Sequence, residues 1–441
     1  MATKKLLAQV SSIALLGAVA LAGCSGGSDE ATTQDATSNP SALQGDLNIV
    51  VSSATGSDAG FKAVNQAFSK KYPNVKVNFT AVPNENYNAS KSSRLTAGSA
   101  DIVIANPKEV PSYVPADNAG DDARLAEAGG FVDLTNEPFI KNFTPTVMDQ
   151  TKFKDKNYTV PTGLSYYTGM MYNKKIFADN GLEIPTTWSE FTKACDQLKA
   201  KGITPLGIAG KDSAGLNMLG LVQSTYPTAQ AKEDLAKGLY ENTVKLNEGD
   251  QLEVLQKLQT IYGYAQPNFA GVNYATMTSD FVKGKYAMMA DGTWNTATLE
   301  QAGGDSFDFG YFPLPGSDTA ADNKNLGGKV ELSLGVPTNT KNKAAALAWL
   351  DTFSQKETYQ AFLDQAGFAP AQQGIQAGEF YKGIEANMAS FEPAWDTLWV
   401  VNQKAGAAAQ RPFNWEGLKP MGTLDAKGAA DQAQKDWEAG K

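Results

Sequence analysis

The chain has 441 residues, 42% of them apolar and 19% charged, which is enough for two or three packed domains. Its formal charge of −9 disfavours binding to nucleic acid or to anionic lipid headgroups. There is no histidine, which excludes Ser–His–Asp and Cys–His nucleophile systems, His-ligated zinc and histidine general bases, and leaves carboxylate chemistry of the glycosidase kind.

Residues 1–23 read as a secretory signal. Lys4 and Lys5 give the positive start, and residues 13–22 form an apolar run broken only by Gly17, too short to span a bilayer. The run ends in Leu21-Ala22-Gly23-Cys24. That ending resembles the bacterial lipoprotein signal, in which the cysteine becomes the lipidated first residue; an ordinary signal peptide that happens to contain a cysteine is the alternative. Loss of Lys4 and Lys5 takes the mature charge to −11. Residues 24–45 read as a flexible tether, because the stretch from Ser25 to Pro40 has no aromatic, Val, Ile or Leu residue with which to build a core.

Folding is expected from about Leu47. Residues 47–51 form an apolar strand, and 58–71 a helix with Phe61, Val64, Ala67 and Phe68 on one face. Residues 75–79 alternate as a half-buried strand, 85–97 read as helical, and 100–105 as a third strand. Strand, helix, strand, helix, strand with short links implies right-handed βαβ units and a doubly wound sheet, which binds ligands beyond the carboxyl ends of its strands. The loops there, 52–58 and 106–109, are rich in hydrogen-bonding side chains, either for a ligand or simply as polar connections. Asp117 to Asp122 is acidic but lacks the Gly and Glu of a calcium loop, and reads as a solvated turn. Cys195 shares a helical stripe with Trp188, Phe191, Ala194 and Leu198 and reads as a small buried hydrophobe. No Walker A, Rossmann or Cys-x-x-Cys pattern is present, so no cofactor, metal or catalytic residue is expected.

Three later blocks carry a resemblance. The first is Tyr158-Thr-Val-Pro161, then Tyr172-Asn173-Lys174, then Pro185-Thr-Thr-Trp188. The second runs Phe281-Val-Lys-Gly284, Ala287-Met288, Asp291-Gly292-Thr-Trp294. The third is Gly327-Gly328, Lys341 and Lys343 at a helix start, and Gly367-Phe-Ala-Pro370. In this order they resemble the carbohydrate-type, maltose-binding-protein-like extracellular solute-binding proteins (family 1) that serve ABC transporters, over residues 46 to about 441. The resemblance implies an α/β, two-lobed periplasmic-binding-protein-like fold, each lobe a doubly wound sheet flanked by helices, with three hinge crossings near 162–168, 327–332 and 367–371. The lobes are then 46–162 plus 332–367, and 168–327 plus 371–441. It further implies a monomeric substrate-binding lipoprotein on the extracellular face of the bacterial cell membrane. Such a protein captures a carbohydrate, most simply an oligosaccharide, and delivers it to permease subunits by hinge closure.

Sugars present flat C–H faces and rings of hydroxyls, so their sites combine aromatic platforms with bidentate polar groups. Trp294, after Asp291-Gly292, matches the place where the family presents a Trp to sugar; the alternative is a core Trp. Tyr166 and Tyr167 lie in the first crossing. Glu331 interrupts an apolar run and is either a cleft carboxylate or an alternating exposed residue. Trp395 and Trp399 are the late-lobe candidates, Trp399 having the family's spacing from Pro393. In the first lobe the matching loops hold Thr55, Asp58, Asn106 and Glu109. The family's Trp after the third strand is replaced by Ala105 and Asn106, a departure from maltodextrin-like specificity. Two other classes stay open: a secreted glycosidase, which would turn its sugar over, and a surface lectin, which would not close.

Overall fold

The protein is described by a computed structural model covering residues 39–53, 55–398, 404–409 and 411–440. The predicted signal, Cys24, most of the tether and Trp399 lie outside those residues. No helix among the described residues is long and apolar enough to cross a membrane.

Strand β1 (Gly45–Ser52) buries Leu47, Ile49, Val50 and Val51 and pairs in parallel with β2 (Val75–Val82), from Gly45 opposite Val75 to Ser52 opposite Val82. On its other edge it pairs in parallel with β3 (Ile102–Ile104). The helices between them are Thr55–Lys71, which buries Phe61, Val64 and Phe68, and Asn84–Ala97, which ends at Gly98 in the left-handed region (φ 59°). The predicted βαβ order is therefore present. The third strand is shorter than its apolar run; just before it Asp101 donates its N–H to the Asn48 carbonyl oxygen at 2.8 Å, and its carboxylate accepts from the backbone and side-chain amides of Asn48 at 2.7 and 3.0 Å.

A hairpin of β4 (Lys152–Phe153) and β5 (Lys156–Asn157) leads into β6 (Thr159–Val160), β7 (Gly163–Tyr166) and β8 (Gly169–Asn173). Then come β9 (Thr204–Gly207), β10 (Tyr286–Asp291), β11 (Phe309–Pro313), β12 (Gly327–Glu331), β13 (Leu334–Gly335) and β14 (Glu392–Pro393). The first sheet has the order β2-β1-β3-β13-β6 and the second β11-β8-β10-β9. Both are mixed rather than purely parallel. β13 and β6 arrive straight from the crossings, without the long helical connection that a parallel pairing needs, and join antiparallel.

The three predicted crossings lie side by side. β7 and β12 pair antiparallel, Gly163 opposite Glu331 and Tyr166 opposite Gly328. Leu164 and Ala369 exchange both backbone hydrogen bonds at 2.9 Å. Gly367 has φ 70°, a left-handed conformation that favours glycine. Gly327 and Gly328 have a different reason to be glycine. A Cβ on Gly328 would sit 2.4 Å from the Ser165 carbonyl oxygen, and one on Gly327 2.5 Å from Gln223 Oε1. The pair is there for the close approach of neighbouring segments.

Two large buried clusters meet at this ladder, and the first takes in Met171, Met289 and Tyr311 of the second sheet as well as Leu47, Ile49 and Ile102 of the first. One stacks Trp349 on Phe353 (centroids 5.8 Å, planes 2° apart) beside Phe61 and Phe362. The other contains Phe191, Cys195 and Leu198 of the helix Trp188–Ala200 together with Trp395 and Trp437. Cys195 is free and buried, and burial pushes its thiol pKa up.

The close approach at Gly328 yields a test. Gly328→Ala forces a methyl group against a backbone carbonyl that cannot rotate away, at a cost of about 1–3 kcal/mol. Its urea midpoint should fall while the slope of the transition stays that of the wild type.

Candidate functional site

A cleft of about 1170 Å³ lies where the crossings meet the two sheets. Ser52 and Ser53, at the carboxyl end of β1, line one wall with Asn84 and Glu85, which open the helix Asn84–Ala97. Ser52 Oγ donates to Asn84 Oδ1 at 2.9 Å, and Ser53 Oγ to Asp58 Oδ2 at 2.6 Å. Tyr274, Thr278 and Trp294 line the opposite wall. Lys329 and Glu331 of β12 and Phe368 of the third crossing also line it. Asp212, Tyr274 and Trp294 also border a smaller cavity of about 240 Å³ that continues to Asp396, Arg411 and Trp415.

Trp294 is held by a relay. Its Nε1–H donates to the Tyr274 hydroxyl at 3.0 Å, which donates to Asp291 Oδ1 at 2.6 Å. Asp291 also accepts from the Gly292 N–H (2.7 Å) and from Asn295 Nδ2 (2.6 Å). A Cβ on Gly292 would lie 2.3 Å from the indole, so only glycine lets the ring fold back over the strand end. Asp291 is fully buried, and burial pushes its pKa from 3.8 up to about 6 against the three hydrogen bonds that favour the carboxylate. On the indole, Lys329 Nζ stands 5.1 Å from the ring centroid, 5.8 Å from that of Tyr167, and 3.2 Å from Glu331 Oε1. Among the described residues no group of three acidic or cysteine side chains could hold a metal ion.

The predicted site residues separate into groups. Trp294 and Glu331 line the cleft, Glu331 only 5% exposed. Asp291 lies beneath it as the end of the relay. Tyr167 is buried against Trp294 (centroids 5.3 Å) and donates to Asp396 Oδ1 at 2.7 Å; Tyr166 is buried edge-on to Phe391. Asp58 stands one hydrogen bond behind the wall, through Ser53, and Thr55 opens the helix there. Asn106 is exposed and is not among the residues that line the cleft, and its N–H donates to Asp122. Glu109 lines a separate cavity of about 430 Å³ and accepts from the Lys154 N–H. Trp395 is 1% exposed in the core, edge-on to Phe413. The acidic run is not a plain solvated turn, since Asp122 ion-pairs with the nearly buried Lys91 at 2.7 Å. Sequence reasoning missed Tyr274, Lys329, Asp212, Arg411 and Trp415. Only Tyr274 carried a local signal: Asn273 caps its helix by accepting from the Thr276 N–H at 2.8 Å.

The chain matches the family described as bacterial extracellular solute-binding protein over residues 52–360. A multiple sugar-binding protein of Streptococcus mutans is 26% identical over 324 residues, covering 72% of this chain and 73% of the relative. An uncharacterized ABC transporter extracellular-binding protein of Pyrococcus horikoshii is 23% identical over 424 residues, covering 94% and 90%. Among solved structures, the solute-binding protein RafE in complex with raffinose superposes with a TM-score of 0.73 at 23% identity, covering 90% of this chain and 100% of that one. The apo form of RafE from Streptococcus pneumoniae gives 0.70 at 23% identity, covering 91% and 99%. At that identity the structures establish the two-lobed fold.

The buried Asp291 gives a pH signature. Its folded pKa lies above its unfolded one, so the folded state binds the proton more tightly, and stability falls as pH rises from about 4 through 6. Asp291→Asn removes that titration. In urea unfolding, the wild type should lose roughly 3 kcal/mol relative to the variant between pH 3.5 and 7.5, from about two pKa units at 1.36 kcal/mol each. Parallel profiles for the two proteins would mean that Asp291 does not titrate in this range.

Proposed function

This chain belongs to the bacterial extracellular solute-binding protein family, and from that premise we propose that it is the carbohydrate-capturing component of an ABC importer. It binds an oligosaccharide in the cleft, closes at the three crossings and hands the sugar to permease subunits. The closing bodies are residues 46–162 with 332–367 and residues 168–327 with 371–441, and the protein acts as a monomer.

The observation that carries this reading is an indole held in place by buried hydrogen bonds and surrounded by Asn, Asp, Glu, Ser and Lys side chains in one cleft. Flat apolar face and ring of polar groups match the two surfaces of a sugar. The volume exceeds the roughly 300–1,000 Å³ of pockets for drug-sized ligands, which favours several sugar rings over one. The names of relatives lean the same way: multiple sugar-binding protein, raffinose-bound RafE and a chitin oligosaccharide binding protein. Binding is without turnover, which separates the protein from a glycosidase. Closure separates it from a rigid lectin.

Trp294→Ala should weaken binding of the best sugar from a mono- to tetrasaccharide panel by roughly 2 kcal/mol, about thirtyfold. Calorimetry measures the affinity, and small-angle scattering on the wild type should show a smaller radius of gyration when that sugar is added. A variant with unchanged affinity and a strongly lowered thermal midpoint would make Trp294 a core residue and defeat the site assignment.

The membrane anchor is proposed at Cys24, on the extracellular face. Cys24→Ser should move the protein from the membrane fraction into the medium. Retention on the membrane would show that something other than this cysteine holds it.

A further inference from the structure

The segment from Asn106 to Asn118 belongs to the first lobe by both of its ends. Ala105 before it and Ala123 after it are buried in one cluster with Val50, Val103 and Phe131. Its middle does not stay there. Tyr113 packs its ring against the second core, 5.9 Å from that of Tyr240, and its hydroxyl donates to Glu233. Both partners lie on the helix Ala229–Glu241, whose Leu235 and Leu239 are buried with Trp437. Five residues earlier, Lys108 Nζ donates to the Thr397 carbonyl oxygen. Four residues later, Asp117 pairs with Lys404 at 2.9 Å.

We infer that residues 106–118 form an interlobe clasp, a fourth and non-covalent connection that limits how far the two lobes open when no carbohydrate is bound. The three covalent crossings leave the lobes free to swing about one ladder, and a contact that links them elsewhere restrains that swing. The central contact buries an aromatic ring and satisfies its hydroxyl on a carboxylate, whereas the outer Asp117–Lys404 pair is largely exposed and adds little. Lys108 fits the same role. Its burial pushes the ammonium pKa down to about 8, while the carboxylates of Glu233 and Asp396 in the second lobe act in the opposite direction and favour the charged form. Asp396 also borders the smaller cavity, so the clasp stands at that end of the cleft and leaves the Asn84–Glu85 side to admit a ligand.

This inference goes beyond the proposed function, and its test uses no sugar, so a failed carbohydrate screen and a failed clasp are told apart. In the full chain without carbohydrate, Tyr113→Ala and Lys108→Met should each raise the radius of gyration in small-angle scattering. Amides of the helix Ala229–Glu241 should exchange about tenfold faster, the scale of one hydrogen bond to a charged group. Tyr113→Phe keeps the ring and loses only the hydroxyl, so it should fold and give a smaller change of the same sign; it also decides the matter if Tyr113→Ala does not fold. Folded variants with the radius and exchange rates of the wild type overturn the clasp.

Discussion

The ladder that ties β7 to β12 and Leu164 to Ala369 is the constraint on which the rest depends. Each lobe has its own sheet; the four strands of the second all lie between Gly169 and Pro313, but the first is not completed by one continuous stretch of chain. β13 enters the first sheet only after the chain has built most of the second, and it does so directly from β12. Side chains from the same ladder line the cleft: Lys329 and Glu331 come from β12 and Phe368 from the third crossing. Any rotation of one lobe against the other therefore moves side chains that line the cleft. The two glycines of β12 keep the strands close enough for this sharing.

The opposite wall is built on another principle. Trp294 does not depend on the ladder for its orientation but on Tyr274, Asp291 and Asn295, all within the second lobe. A buried carboxylate with no cation among its hydrogen-bond partners costs stability at neutral pH. Here its three donors are the groups that aim an indole into the cleft. The aromatic platform and the ladder residues that line the cleft thus come from different parts of the molecule.

Much of the fold was legible in the sequence because it rests on local periodicity. Phe61, Val64 and Phe68 face one way in any helix, and 75–79 alternate in any strand. Strand ends were not legible, since what Asp101 does at the start of the third strand is set by Asn48, a partner 53 residues away. Trp294 stood out because it follows a strand end and an Asp-Gly turn. Trp395 looked equivalent, but Phe413 and its neighbours close over it. Lys329 could not be read as lining a cleft, because its position relative to Trp294 depends on β12 pairing with β7. Arg411 and Trp415 meet the same cavity as Trp294 only through the packing of the late segment. Asn106 looked like a ligand residue for its loop, yet Asp122 takes its N–H.

Lys329 above the Trp294 face has a consequence for what affinity would mean. The indole face is already in contact with an ammonium group of the same chain. A ring that settles on that face enters by substitution, and what a titration measures is the difference between two contacts and not the strength of one. Glu331, 3.2 Å away, is positioned to hold the displaced ammonium. Such an exchange would leave the charge count of the cleft unchanged.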